Sequence, residues 1–252
     1  MKILRQFIHI LVILSTLVLN AQVATVNTET KVLKTIEGNE SSKTYLVYLQ
    51  DSLNGGKYNF EVWDRKLTHN VKNKTYTLNW IRNKNSKKES YNYEIIFDTN
   101  FKTLTERVIH KKLKDDHYIT NRKYFMYENN KMYSSPDSLL HNTLPVRIDD
   151  LKYAINWELD LETVEALPLR LHKEFAICFY HPGSKTLPKY YNLIVDRSEI
   201  VELNEKNFDC WVLKVAYSKH QTCEFWVDKK TNTVLVTKDK VFGKYRFKRL
   251  VV

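Results

Sequence analysis

Strict alternation of apolar and polar side chains late in the chain is the feature that most constrains its fold. In Cys210–Tyr217 every second residue is large and apolar, as on a β-strand whose side chains point to opposite faces in turn. The run Thr222–Asp228 alternates in the same way. Two such runs joined by a short polar segment predict an antiparallel hairpin. The members of the first apolar face are Trp211, Leu213, Val215 and Tyr217.

The apolar pattern also selects the register of this hairpin. A turn between the two runs sets Leu213 opposite Phe225 and Trp211 opposite Val227. A slip by one residue would bring Glu224 onto the face that carries these apolar side chains, and burying that carboxylate would be costly. The sequence therefore predicts one register for these two strands.

Alternating runs recur upstream from Thr44, separated by turn-forming segments such as Asn54-Gly55-Gly56. The segment Leu151–Leu167 fits either a strand or a helix, and its Ala, Leu and Glu content favours a short helix near Asn156–Leu167 that Pro168 ends. The 16 Tyr, 11 Phe and 5 Trp residues favour pleated, half-buried surfaces. We predict a mainly β fold, a curved antiparallel sheet or half-barrel with one short helix.

The first residues have the pattern of a cleavable signal peptide. Lys2 and Arg5 precede the apolar run Ile8–Leu19, and cleavage is expected after Ala21. The alternative is a transmembrane anchor, but the run is shorter than the ~20 residues that span a bilayer. We therefore expect a periplasmic or secreted protein whose mature chain has no transmembrane segment.

The remaining chain divides into two parts. The polar and weakly patterned segment 22–42 is expected to be a flexible leader, and 43–252 a single β-rich domain. Serines and prolines at Asn129–Pro145 interrupt the strand pattern. This break separates two possible halves of the sheet, 43–128 and 146–252.

The formal net charge of +11 limits the classes of partner. Lysine clusters such as Lys111/Lys112/Lys114 could attract an anionic envelope surface, including anionic lipid. The alternative is a solvated surface whose lysines protect the sheet edges from pairing. Nucleic acid is not an expected partner of an exported chain.

Three cysteines, Cys178, Cys210 and Cys223, are an odd number for an exported protein. In the register above, Cys210 and Cys223 point to opposite faces of the hairpin and cannot be bridged across it. We therefore expect buried thiols and no disulfide framework.

No motif for a cofactor or metal is evident. The chain contains no G-x-G-x-x-G, no G-x-x-x-x-G-K, no G-x-S-x-G and no H-E-x-x-H. The nearest metal-ligand set is Cys178-x-x-His181 with His220-x-x-Cys223. Residues three apart on a strand point to opposite faces, which favours turn histidines beside buried cysteines. We predict no metal site and no cofactor.

Glu158, Asp160 and Glu162 form an acidic row if their segment is a strand, and paired carboxylates can hydrolyse glycosides. On a helix the three would spread around its surface. We interpret the row as a solvated face, predict no catalytic residues, and expect that the protein is not an enzyme.

The second half contains the segments Val195–Glu199, Phe208–Leu213 and Glu224–Lys230, and the expected signal peptide ends in Ala21-Gln22. The three segments resemble an uncharacterised family of exported bacterial proteins, the domain of unknown function 3108, and the Ala21-Gln22 ending is similar to signal peptides of Bacteroidetes. Such families are similar in fold to periplasmic lipoprotein carriers, whose curved sheet cradles acyl chains around a helical lid. The resemblance implies a half-barrel and supplies no catalytic residues.

Aromatic side chains on a curved sheet can line a groove suited to acyl chains. We predict a non-catalytic envelope protein that binds a lipid or amphiphile in this concavity. The candidate ligand-binding residues are Trp211, Leu213, Phe225 and Trp80. Two alternatives stay open: a structural or assembly module of the envelope with no ligand, and a hydrolase whose site the sequence does not reveal.

Overall fold

The structure is a computed structural model that describes residues 23–36, 40–84, 88–129, 131–134, 147–148, 151, 153–184 and 186–251. The expected signal peptide lies outside the described residues, as does most of the break at Asn129–Pro145. Within that break, Lys131–Ser134 forms a strand. Among the helices that the structure describes, none combines the length and apolar character needed to cross a membrane.

The described chain forms sixteen strands and one short α-helix. The helix α1, Asp160–Glu165, follows directly on a single 3-10 turn at Trp157–Leu159. The strands are β1 Ala24–Val26, β2 Glu40–Gln50, β3 Tyr58–Asn70, β4 Thr75–Lys84, β5 Glu89–Asp98, β6 Thr103–Lys114, β7 His117–Glu128, β8 Lys131–Ser134, β9 Arg147–Ile148, β10 Ile155–Asn156, β11 Glu174–Tyr180, β12 Lys189–Leu203, β13 Lys206–Ser218, β14 Gln221–Asp228, β15 Val234–Val241 and β16 Lys244–Leu250.

All strands belong to one curved sheet, which confirms the predicted fold class. The order is β1, then β11 through β16, then β2 through β9, with β10 beside β11. Neighbours are antiparallel except that β1 and β10 each run parallel to β11. The late strands join the early ones where β16 pairs with β2, with Phe247 opposite Tyr48. Within the described residues β1 and β9 do not pair with each other, so the sheet is open.

The register predicted for the β13–β14 hairpin is confirmed. Leu213 lies opposite Phe225, and Trp211 lies opposite Val227. Leu213 and Phe225 are buried on the concave face. The opposite face of the same hairpin is also apolar, because Val212 and Trp226 are buried in a separate cluster on the convex side. The alternation therefore fixes the register, but both faces of this hairpin are covered.

The ambiguous segment is helical, as predicted, although shorter than expected. Asn156 caps its start, since the side-chain oxygen accepts a hydrogen bond from the backbone N–H of Glu158 at 2.9 Å. Its apolar side chains are buried in the concave core together with strand residues. The segment Trp157–Glu165, which we call the plug, thus fills much of the hollow of the sheet. The buried apolar residues of the plug are Leu159, Leu161 and Val164.

We expected 22–42 to be a flexible leader, but part of it belongs to the sheet. Ala24–Val26 forms β1 and pairs with Phe175–Ile177 of β11. Val26 is fully buried in the main core. The following turn is closed by the side chain of Asn27, which accepts hydrogen bonds from two later backbone N–H groups. An apolar anchor and satisfied backbone groups hold this segment on the edge of the sheet.

The interpretation of the acidic row as a solvated face is also corrected. The plug directs its carboxylates at cations on the concave face of the sheet. Glu162 is buried and pairs with Arg65 of β3, and Asp160 lies 3.4 Å from the Lys248 ammonium of β16. A third carboxylate, Glu165, pairs with Lys43 of β2. Asp160 and Glu162 of the row lie inside the molecule because each of them has a cationic partner there.

The ion pair between Arg65 and Glu162 is bidentate, with one hydrogen bond to each carboxylate oxygen. The Arg65 Nε donates to Glu162 Oε1 at 3.1 Å, and its Nη2 donates to Glu162 Oε2 at 2.5 Å and to the Glu158 carbonyl at 2.8 Å. The guanidinium also lies 4.5 Å from the centre of the Trp80 ring. This bidentate, stacked arrangement suits arginine and would not be reproduced by lysine.

We predict that Arg65→Met lowers the free energy of unfolding by about 3–5 kcal/mol, because it leaves the Glu162 carboxylate buried without a partner. The double variant Arg65→Met/Glu162→Met should recover most of this loss, since it removes both charges. Urea denaturation measures both effects.

The matched control is Lys66→Met, at the next position of β3. Lys66 forms an exposed pair with Glu40, so its replacement should cost less than about 1 kcal/mol. Equal losses for Arg65→Met and Lys66→Met would contradict the role assigned to the buried pair.

Candidate functional site

One end of the sheet, which we call the open end, is not filled by the plug. The turns joining β2 to β3, β6 to β7 and β15 to β16 lie at this end, because neighbouring strands alternate in direction. The plug enters here after β10 and runs toward the opposite end. There Glu165 accepts a hydrogen bond from the backbone N–H of Val234, the first residue of β15, at 2.9 Å.

A groove of about 450 Å³ lies at the open end between the plug and strands β5, β6 and β7. This volume is within the range of small-molecule sites, roughly 300–1,000 Å³. The apolar and aromatic wall consists of Tyr91, Tyr93, Val108 and Phe125, and Glu106 and Glu158 form the floor. The polar edge is made by His110, Asn121, Arg122 and Lys123.

Aromatic stacking holds the wall in place. The Tyr93 ring stacks on Trp80 of β4, with ring centres 4.5 Å apart. The Tyr91 ring stacks on His110 at 4.1 Å and an interplanar angle of 4°. Both rings are stacked across neighbouring strands, which favours a preformed surface over one assembled on binding.

Glu106 is the most unusual group of the floor. It lies on the concave side of β6 opposite Ile95, and only 1% of its surface is exposed. Asn156 Nδ2 donates to its Oε2 at 2.7 Å, and the Tyr127 hydroxyl donates at 3.3 Å. Burial, and then the nearby Glu158 carboxylate, raise the pKa of Glu106 to about 8 despite these hydrogen bonds. At neutral pH this side chain is mostly an uncharged acid.

Glu158 shares the floor and begins the plug. Burial and the neighbouring Asp160 carboxylate raise its pKa above the ordinary value for glutamate. Arg82, Arg65 and Lys248 act in the opposite direction on the same carboxylate. Glu158 therefore lies between the acidic start of the plug and the cations of the sheet.

A second, more polar hollow of about 380 Å³ adjoins β3 and β4 at the same end. Its centre is Arg82, whose guanidinium lies 4.7 Å from the Trp63 ring and 5.4 Å from the Tyr91 ring. Arg82 Nη2 donates to Glu61 Oε2 at 3.0 Å. Burial favours the neutral acid, but the Arg82 cation, the hydrogen bond from Trp63 and the Lys84 cation together hold the pKa of Glu61 below its usual value.

The candidate ligand-binding residues do not form one accessible surface. Leu213 and Phe225 face the concave side, as predicted, but they are enclosed in the core. Trp211 is only partly buried, and its ring lies 4.2 Å from the Lys229 ammonium. Of the four, Trp80 adjoins the groove, where its ring stacks on that of Tyr93 from the neighbouring strand. The accessible surface is thus formed mainly by β5–β7, because the plug covers the concave side of the β13–β14 hairpin.

The two Cys-x-x-His pairs are also separated. Cys178 belongs to a core cluster with Phe125, whereas Cys223 belongs to the main concave core. His181 stacks on the Trp157 ring at 4.5 Å. Over the described residues no group of three or more metal-ligating side chains converges. All three cysteines are buried and none forms a disulfide, as expected.

The sequence contained one unused signal for the groove. The inward positions of β5 include Tyr91, Tyr93 and Ile95, and the strand pairing places Glu106 directly opposite Ile95. On β6, Glu106 and Val108 are two residues apart and therefore point to the same, inward face. A carboxylate at such a position is expected to be buried. That inference requires the β5–β6 register, which their alternation alone could have supplied.

Comparisons with known proteins agree on the fold and give no activity. A family model described as a protein of unknown function, DUF3108, matches residues 44–248. Among solved structures, the chain is similar to the crystal structure of a beta-barrel-like protein of domain of unknown function DUF1849 from Brucella abortus. The sequence identity is 10%, covering 88% of this chain and 97% of that chain, with a TM-score of 0.55. No curated protein matches the chain.

The buried acid of the floor should make stability depend on pH. The folded pKa of Glu106, about 8, lies above the ordinary value of about 4.3 expected on unfolding. Between these values the folded chain holds a proton that the unfolded chain releases, so stability falls as pH rises toward 8. We predict that Glu106→Gln removes this decline and makes the protein more stable than wild type at pH 8.

Urea denaturation at a series of pH values measures this effect. The control is Glu128→Gln, an exposed glutamate at the end of β7, which should leave the profile unchanged. A wild-type profile that stays flat from pH 5 to 8, and does not change in Glu106→Gln, would refute the assignment.

Proposed function

The chain belongs to the DUF3108 family of proteins of unknown function, and on this premise we propose that it is a non-catalytic exported protein of the cell envelope that binds a lipid or other amphiphile. The ligand occupies the groove at the open end, with its apolar part against Tyr93, Val108 and Phe125. The signal-peptide pattern of the first residues supports export. The main observation behind the proposal is that both apolar and polar side chains line the groove.

The floor of the groove is suited to contact with an uncharged part of the ligand. Because Glu106 is mostly protonated at neutral pH, the floor repels an acyl chain far less than a buried carboxylate would. The wall next to it is aromatic and rigid. Such a surface contacts a flexible apolar chain over a large area with little loss of its own conformational freedom.

The edge of the groove is suited to contact with a polar or anionic head group. Lys123 lies on the inward side of β7 opposite Val108, whereas Arg122 lies on the other face, opposite Ile109, and borders the groove from there. Both side chains are exposed. Lys123 forms no ion pair with any residue that the structure describes. Its ammonium is therefore available to an anionic group at the mouth of the groove.

Several observations favour binding over hydrolysis. Burial, followed by Asp228, raises the pKa of the Cys210 thiol to about 12, and burial raises that of Cys223 as well. Neither thiol is therefore an activated nucleophile. Asp160 and Glu162, which could have acted as paired acids, are engaged by Lys248 and Arg65.

A fluorescent long-chain fatty acid, cis-parinaric acid, tests the groove directly. We predict saturable binding with enhanced fluorescence to the full chain, and a loss of affinity of about tenfold or more in Val108→Trp, which fills the groove. Lys123→Glu should weaken binding of the fatty acid while leaving an uncharged analogue, its methyl ester, less affected. Native mass spectrometry of protein from its own host should reveal a co-purifying amphiphile.

The matched control is Ile109→Trp, the adjacent residue on the opposite face of β6, which should bind the fatty acid as the wild type does. Clean apo protein in mass spectrometry, together with no saturable binding, would favour the alternative of a ligand-free assembly module. Equal weakening by both tryptophan variants would indicate damage to the fold and would remove the support for the groove.

A further inference from the structure

The turns of the open end carry large apolar side chains exposed to solvent. Phe242, in the turn between β15 and β16, is 76% exposed, and Tyr118, at the start of β7, is 60% exposed. Ile119 and Leu53 are also exposed at this end. Exposing several large apolar side chains beside one opening is unfavourable in water, which points to an interaction surface.

Lysines flank these turns, whose exposed ends we call the tips. Lys240 and Lys244 are exposed on either side of Phe242, and Lys111, Lys112 and Lys114 are exposed opposite Tyr118 and its neighbours. The acids of these tips are fewer: Asp115 and Asp116 in the β6–β7 turn and Asp51 in the β2–β3 turn. Asp51 lies 3.6 Å from the Lys244 ammonium. The tips thus combine apolar side chains with a net positive charge.

Both principal tips are short and held by their strands. Lys114 pairs with His117 across the two-residue turn Asp115-Asp116, and Val241 pairs with Lys244 across Phe242-Gly243. The residues of both turns have positive φ, between 48° and 84°, as two-residue hairpin turns require. The apolar side chains are therefore presented at fixed positions.

The opposite end of the sheet differs in this respect. Its β5–β6 turn buries Phe101, and its β14–β15 turn consists of polar residues from Lys229 to Asn232. Val71, 64% exposed in the β3–β4 turn, is an exception there. It is flanked by Lys72 and Lys74, which makes that turn a matched control.

We propose that the tips at Tyr118–Ile119 and Val241–Phe242, with their flanking lysines, dock the open end on an anionic lipid bilayer. This inference rests on the proposed function and identifies the source of the ligand as the membrane surface. The apolar tips enter the region of the head groups, and the lysines attract the anionic lipids around them. Lys123, at the edge of the groove, continues β7 from the same hairpin, so docking places the groove mouth against the lipid.

Vesicle co-sedimentation tests this surface. The full chain should bind vesicles of phosphatidylcholine with about a quarter phosphatidylglycerol and bind vesicles of phosphatidylcholine alone far more weakly. Binding should fall steeply as salt is raised to about 0.5 M. The triple variant Lys111→Glu/Lys112→Glu/Lys114→Glu should lose at least about tenfold in affinity. A comparable loss is expected for Phe242→Ser/Tyr118→Ser, which keeps the charge.

The controls change the opposite end. Val71→Ser and the pair Lys72→Glu/Lys74→Glu should bind anionic vesicles nearly as the wild type does, the latter slightly less because of its net charge. Equal losses for the two ends would overturn the inference, as would wild-type protein that does not bind anionic vesicles.

Binding of cis-parinaric acid in the absence of vesicles separates this inference from the proposed function. The tip variants should keep that binding, because they do not line the groove. A chain that binds the fatty acid but no vesicles retains the proposed function and loses the docking surface. A chain that docks through the tips but has no groove ligand refutes the proposed function and also the statement that the membrane supplies that ligand.

Discussion

The interior of this protein depends on ion pairs between the plug and the sheet. A six-residue helix is too short to be stable by itself in water, so α1 exists because the rest of the chain holds it. Its apolar side chains join the core, and three of its carboxylates reach Lys43, Arg65 and Lys248. These cations lie on β2, β3 and β16, which are neighbours in the sheet. The plug therefore fastens the strands at which the early and late parts of the chain meet.

The same arrangement explains why one end of the concavity remains polar. The plug places its apolar residues along the middle of the hollow and begins with a carboxylate, Glu158, at the open end. Opposite it lie Glu106 and Arg82. The Arg82 guanidinium lies over the Trp63 ring, and the neighbouring Tyr93 and Trp80 rings stack on each other. Stacked aromatic walls and a floor in which Glu106 is mostly uncharged are thus consequences of how the core is filled. The groove needs no separate structural element.

The strands and their pairing were predictable because side chains alternate between the two faces of a strand, so the apolar pattern allows few registers. Leu213 and Phe225 can only be buried together if their strands pair in one register, and that is the register found. The orientation of the plug was not predictable in this way. Asp160 and Glu162 have their partners Lys248 and Arg65 far away in the sequence, and without those partners any carboxylate on a short helix is expected to face water. The inward position of Glu106 could be predicted from the pairing of β5 with β6, but its complete burial also depends on the plug, whose Asn156 cap contacts it. The burial of Leu213 and Phe225, and the partial burial of Trp211, could not be predicted either, because the plug contributes to it.

The pairing of β16 with β2 has a consequence for how the chain acquires its structure. Gln50 lies opposite Tyr245, so the hydrogen bonds of β2 on that side are completed only when nearly all of the intervening chain is present. Until then β2 is a bare edge, able to pair with any extended peptide nearby. Contacts this distant in sequence also slow the search for the native state. During synthesis the first half therefore has an unprotected strand edge until β16 has been made.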